Sequence, residues 1–389
     1  MKISALLLLS STALAAPLVE PLEPFSLPTH KGNGYLVVNV DRLSVRFPYG
    51  VEFSIGTPAQ RFKGVFDTGS ERLQMNGAQD SRCQPENEYQ CLGGVYNPDT
   101  SSSWTYLSNG TGTWGGNGAE GTDTLSLGYS KNVFNFLNPS DMVSFPDYGI
   151  YTSNDTAGWN SPIFGLSKLL YPEEGYKNLP YWLKEQGIAK RQAYSLYSEA
   201  PIELDSAATK NVKSQCIFGA IDHSKYTGPL VKLPLVSETQ YSVRINTMTI
   251  DGVVQPSENA RNLTLDTGVN DIRFLSNETS EWISKKYGTH TYNGTQWDIA
   301  CDAEFDINYD FEGGVSIPVN FKQFVQQNPN GICNIGIEIG DNKTDTIAGA
   351  SFISRAYVVY DNDYPFLHLA KRKYGFSKPR IQVIKGEIS

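Results

Sequence analysis

Val65-Phe66-Asp67-Thr68-Gly69-Ser70 and, far downstream, Leu263-Thr264-Leu265-Asp266-Thr267-Gly268-Val269 decide how this chain is read. Each is a short apolar run ending in aspartate, threonine and glycine. An apolar strand carries its terminal carboxylate into a buried place, and the glycine lets the backbone turn there without a Cβ in the way. One such stretch is an ordinary strand end with a polar turn. Two in near-identical form point to a duplicated unit that brings two carboxylates to one site. A second pair follows in the same order, Ile163-Phe164-Gly165 in the first half and Ile347-Ala348-Gly349 in the second. The repeated order argues for two homologous lobes.

The 389 residues leave room for two lobes, each with its own core. Charged residues make up 19%, aromatics 12%, and there are 35 glycines and 21 prolines. This profile fits a strand-rich globular protein and argues against disorder or coiled coil. A formal charge of −9 argues against a nucleic-acid partner, which needs a basic face. The four histidines are scattered, and neither His-Glu-x-x-His nor Cys-x-x-Cys spacing occurs, so no metal or cofactor is expected. His223 sits in a polar turn with no serine or cysteine nucleophile pattern beside it.

Met1-Lys2, an apolar run to Leu14 and Ala13-Leu14-Ala15 read as a signal peptide over residues 1–15. The run is short for a bilayer, and no membrane span is expected elsewhere. Residues 16–33 are rich in proline and glutamate and read as a short propeptide, without a dibasic processing site. Asn-x-Ser/Thr sequons begin at Asn109, Asn154, Asn262, Asn277, Asn293 and Asn342, which fits N-glycans and a secretory route. Asn262, at the start of the strand that carries Asp266, is expected to be the least accessible. Cys83, Cys91, Cys301 and Cys333 fit an oxidising compartment, though sequence leaves their connectivity open. Cys216, between apolar neighbours, reads as a buried inert thiol.

The paired Asp-Thr-Gly motifs with their apolar-apolar-Gly partners resemble the pepsin-like aspartic proteases. Further matches are Tyr49–Gln60, Tyr96-Asn97-Pro98-Asp99-Thr100-Ser101-Ser102-Ser103-Trp104 and Phe218–Leu230. Together these resemble the secreted fungal branch, with its yapsin-like and candidapepsin-like members, from about Tyr35 to Ala370. The resemblance implies an all-β bilobal fold with a cleft between an N-terminal lobe, 34–200, and a C-terminal lobe, 201–389. It implies the disulfides Cys83–Cys91 and Cys301–Cys333, and a monomer acting on polypeptide substrates in the medium, cell wall or vacuole. Asp67 and Asp266 would be catalytic. Thr68, Gly69, Ser70, Thr267, Gly268 and Val269 would support them. A hairpin flap would close over substrate with Trp114, Gly115 and Gly116 near its tip, Trp114 replacing the family's tyrosine and Tyr106 being the alternative.

Two further departures stand out. The family's Ser-Ser-x-Leu-Trp-Val is here Ser70-Glu71-Arg72-Leu73-Gln74-Met75, which removes the tryptophan that holds the flap tyrosine. Glu71 and Arg72 could form a weak surface pair. Val269 stands where threonine or serine is usual, so Asp266 loses a donor. The leading reading is an acid endopeptidase. Its rivals are an inactive relative that binds peptides and, with only aromatics and sequons behind it, a carbohydrate-binding β-protein.

Overall fold

The structure is a computed structural model. It describes residues 30–44, 47–83, 91, 93–112, 116–127, 143–155, 159, 161–169, 177–203, 212–341 and 345–388. The expected signal peptide, residues 16–29 of the expected propeptide, Trp114, Gly115 and the sequon asparagine Asn342 lie outside these residues.

Strands dominate, with few short helices. Alternation explains why. In Tyr35–Asp41 every second residue, Leu36, Val38 and Val40, is buried, the period-2 pattern of a strand with one face on a core. The helix Leu179–Glu185 is followed by Gly187 at φ +67°, a left-handed conformation that stops it.

A 14-stranded sheet crosses the molecule. It begins in the second half with Tyr226–Pro234, Phe366–Arg372 and Ala356–Asp361. It passes through Ala193–Ser198, Lys213–Phe218 and Tyr35–Asp41, then enters the first half through Gly50–Ile55 and Gln60–Asp67. The expected lobe boundary after residue 200 therefore falls between two antiparallel neighbours, and the first lobe's Tyr35–Asp41 pairs with Lys213–Phe218. Beneath the join, Tyr194 stacks on Tyr360 at 4.9 Å, and Tyr194 and Tyr241 both donate to the Leu166 carbonyl.

The same unit occurs in both halves. Gln60–Asp67 pairs in parallel with Ile163–Gly165, and Leu73 and Gln74 pair antiparallel to Phe164 and Ile163. Asn262–Leu265 pairs in parallel with Thr346–Ala348, and Ile272 and Arg273 pair antiparallel to Ala348 and Ile347. The apolar-apolar-Gly segments are thus the strands that brace the aspartate strands.

Disulfides join Cys83 to Cys91 and Cys301 to Cys333, each with Cα atoms 5.2 Å apart. Cys216 is free and fully buried, and burial pushes its thiol well up from its ordinary value. Among the described residues no helix is long and apolar enough to cross a membrane.

Candidate active site

Each aspartate ends or follows a buried strand, so the backbone delivers its carboxylate where water is scarce. Asp67 is 7% exposed, and Val65 and Phe66 before it are fully buried. Leu263 and Leu265 play the same part for Asp266.

The two threonines interlock the loops. The Thr68 amide donates to Thr267 Oγ1 at 2.9 Å, and the Thr267 amide donates to Thr68 Oγ1 at 3.0 Å. Each hydroxyl then donates onward to the other half, Thr68 to the Leu265 carbonyl at 2.9 Å and Thr267 to the Phe66 carbonyl. Both side chains are almost fully buried. In such a place an unpartnered amide would cost about 1–3 kcal/mol, so the mutual arrangement holds the loops together.

The glycines permit the approach of the carboxylates. A Cβ on Gly69 would lie 2.5 Å from Asp266 Oδ2, and one on Gly268 would lie 2.6 Å from Asp67 Oδ1. Any side chain at either position would collide with the aspartate of the other loop. The Gly69 amide donates to Asp67 Oδ1 at 2.8 Å, and the Gly268 amide to Asp266 Oδ1 at 2.7 Å.

The two carboxyl groups lie side by side, since a Cβ on Gly268 would meet both Asp67 Oδ1, at 2.6 Å, and Asp266 Oδ1, at 3.0 Å. Burial and the adjacent Asp67 charge hold the Asp266 carboxyl well above the usual carboxylate range. Such a pair shares a proton and titrates as a unit, and burial and the Asp67 charge favour the neutral form of Asp266. Asp67 has the better-supplied carboxylate, since Ser70 Oγ donates to its Oδ2 at 2.5 Å. Val269 has no hydroxyl to offer Asp266 and contributes backbone contacts, including its carbonyl to the Ala350 amide at 3.1 Å.

Thr105–Thr111 and Asn117–Leu127 form a hairpin. Its tip is closed by the Gly112 amide donating to the Gly116 carbonyl at 2.9 Å, with the Tyr151 hydroxyl donating to the same oxygen. Trp114 and Gly115 fall in the part of the tip outside the described residues. Tyr106 lies on the first strand, 55% exposed, and its hydroxyl donates to Asn109. Gln74, Tyr151, Gly112 and Gly116 line one pocket below the tip.

Arg72 goes beyond the expected surface pair. It lies 3.6 Å from Glu71 but only 3.1 Å from Glu120, so it ties the strand after the first motif to the hairpin. At the hairpin base Asp123 is buried and accepts from Tyr96, Ser103 and the Thr124 amide at 2.6–2.7 Å. These anchors were not singled out from sequence. The useful signal for the next pair was offset, because Gln74 and Arg273 stand equally far beyond their aspartates and occupy the same register position in their halves. Among the described residues no group of three or more His, Cys, Asp or Glu side chains could hold a metal ion.

Comparison with known proteins agrees with this geometry. The family model described as eukaryotic aspartyl protease matches residues 48–372. Aspartic proteinase yapsin-3 of Saccharomyces cerevisiae is 30% identical over 369 residues, covering 87% of this chain and 69% of the relative. Secreted aspartic protease 8 of Candida albicans is 28% identical, covering 84% and 76%. Candidapepsin of Candida tropicalis is 28% identical, covering 84% and 79%. With the family model spanning most of its length, the chain belongs to the eukaryotic aspartyl protease family.

Proposed function

We propose that the protein is an aspartic endopeptidase in which Asp67 and Asp266 are the catalytic pair. The observation that carries this reading is the contact of two carboxyl groups across interlocked Asp-Thr-Gly loops. Ionised Asp67 takes a proton from a water as that water attacks the peptide carbonyl. Protonated Asp266 donates to the carbonyl oxygen as charge develops there. The proton sharing follows the aspartic-protease pattern, in which two adjacent carboxylates cannot both ionise. Thr68 and Thr267 hold the loops, Gly69 and Gly268 admit the carboxyl groups, and Ser70 supports the charged partner. The hairpin with its tip at Gly112 to Gly116 acts as the flap over bound polypeptide.

The same reading places the protein in the secretory pathway as a monomer with N-glycans. Two features support this. The N-terminal stretch has signal-peptide character, and several sequons lie on the surface, Asn109, Asn154, Asn277 and Asn293 being exposed. Asn262 is half-buried and its amide donates to Asp345 at 3.0 Å, which makes it the poorest acceptor of the described set.

The test is cleavage of an unfolded protein substrate between about pH 3 and 6, with and without a transition-state peptide inhibitor. The expected result is inhibitor-sensitive cleavage that falls about 10³-fold or more in Asp67→Asn and in Asp266→Asn. Near-normal turnover in either variant would sink the reading. Inhibitor binding without cleavage by the wild type would favour the peptide-binding alternative.

A further inference from the structure

The two aspartate loops are built alike but their carboxylates are not supplied alike. Asp67 has a hydroxyl donor in Ser70, whereas the corresponding position beside Asp266 is Val269. A carboxyl group in a buried pair that lacks a donor to its charged form gives up its proton reluctantly. A reluctant acid is a poor one when a proton must reach the substrate carbonyl. Some other group must offset the missing hydroxyl if Asp266 is to serve.

The sheet register identifies the group. Arg273 pairs with Ile347, and Ile347 pairs on its other side with Thr264. Residues directly opposite one another in a ladder project to the same face. Arg273 therefore shares its face with Thr264 and, two residues further along that strand, with Asp266. In the first half the matching position, opposite Ile163, is Gln74, which carries no charge. The half with the hydroxyl thus has a neutral residue at this register position, and the half without it has a cation.

We propose that Arg273 is a positioning residue for Asp266, supplying through space the positive field that offsets the absent hydroxyl at position 269 and so setting how readily Asp266 releases its proton. This rests on the reading of Asp67 and Asp266 as the catalytic pair. The Arg273 charge favours the ionised form of Asp266, against burial and the Asp67 charge, which disfavour it. The buried Tyr360 also feels Asp266. On its own side Arg273 Nε lies 3.6 Å from Asp271 Oδ1, and Glu338 bears on Asp271 in turn. The Asp271 carboxyl is raised by burial, with Arg273 opposing that rise. Arg273 is partly exposed, with 42% of its side-chain surface open, so salt must weaken its influence.

The test is kcat and KM for one peptide against pH, at low and high salt, in wild type, Arg273→Gln and Arg273→Lys. In Arg273→Gln the high-pH limb moves upward by about 0.5 unit, the order expected of a partly screened neighbouring charge. In the same variant kcat falls several-fold while KM stays nearly constant. Arg273→Lys keeps the wild-type limb, which separates charge from shape. High salt moves the wild-type limb towards that of Arg273→Gln and leaves the variant still. An active wild type whose limbs are unmoved in Arg273→Gln, or a variant whose only change is a raised KM, overturns the inference alone. An inactive wild type overturns the catalytic pair and the inference with it.

Discussion

The loop around Asp67 and the loop around Asp266 share a backbone and differ in their charges. In both, a glycine amide caps the carboxylate, a threonine reaches into the other loop, and an apolar-apolar-Gly strand lies alongside. Beyond that frame the halves diverge. The first has Ser70, Arg72 and Gln74 where the second has Val269, Asp271 and Arg273. Arg72 leads away from its aspartate to Glu120 on the hairpin, whereas Arg273 bears on Asp266 itself. Duplication thus preserves what holds two carboxyl groups together and varies what makes one acid different from the other. An acid–base pair needs that difference, because two identical carboxyl groups have no fixed donor and acceptor.

The shared frame can be broken at the threonines, where the largest stability effect is expected. Thr68→Val strands the buried Thr267 amide and Leu265 carbonyl, and Thr267→Val strands the Thr68 amide and Phe66 carbonyl. At about 1–3 kcal/mol for each stranded group, each variant should lose about 2–6 kcal/mol in denaturant unfolding. The two losses should agree within about 1 kcal/mol. A large loss in only one would show that the interlock is not shared equally.

The sheet that joins the halves offers a sharper pH test. His368 lies in this sheet at 1% exposure, and neither of its ring nitrogens has a hydrogen-bond partner among the described residues. Burial, and then the nearby Lys232 charge, push it down to about 4, with Arg191 adding to the effect and Glu387 opposing it. The folded protein therefore holds a neutral imidazole while the unfolded chain takes up a proton below its ordinary value of 6.5. Stability is undiminished above about 6.5 and declines as pH falls towards 4, by about 2–3 kcal/mol in all. His368→Val should flatten that decline, measured as Tm at pH 7 and at pH 4. An equal decline in both proteins would place the acid sensitivity elsewhere.

Much of this was legible in the sequence because it is local. Asp-Thr-Gly after an apolar run and the alternation of Leu36, Val38 and Val40 each follow from neighbours along the chain. The disulfides and the bracing strands came with the family resemblance. Contacts set by register across strands remained hidden. Arg72 reaches Glu120 and Arg273 bears on Asp266 only once the ladders are aligned, since long-range pairing does not follow from local pattern. The shared sheet was also hidden. Nothing local in Tyr35–Asp41 says that it pairs with Lys213–Phe218 and carries the first half into the second.

The smallest effect is the most informative, because it asks whether the halves divide the proton as their donors imply. The measurement is kcat/KM against pH for wild type, Val269→Thr and Ser70→Ala on one peptide. Val269→Thr gives ionised Asp266 the donor it lacks. Since a hydrogen bond to a charged group is worth about 1.5–3 kcal/mol and one pKa unit about 1.4, the high-pH limb should move down by about one to two units. Ser70→Ala removes a donor from ionised Asp67, and the low-pH limb should move up. Profiles that superimpose, or limbs that exchange these assignments, would contradict the account of Asp266 as the partner that keeps the proton.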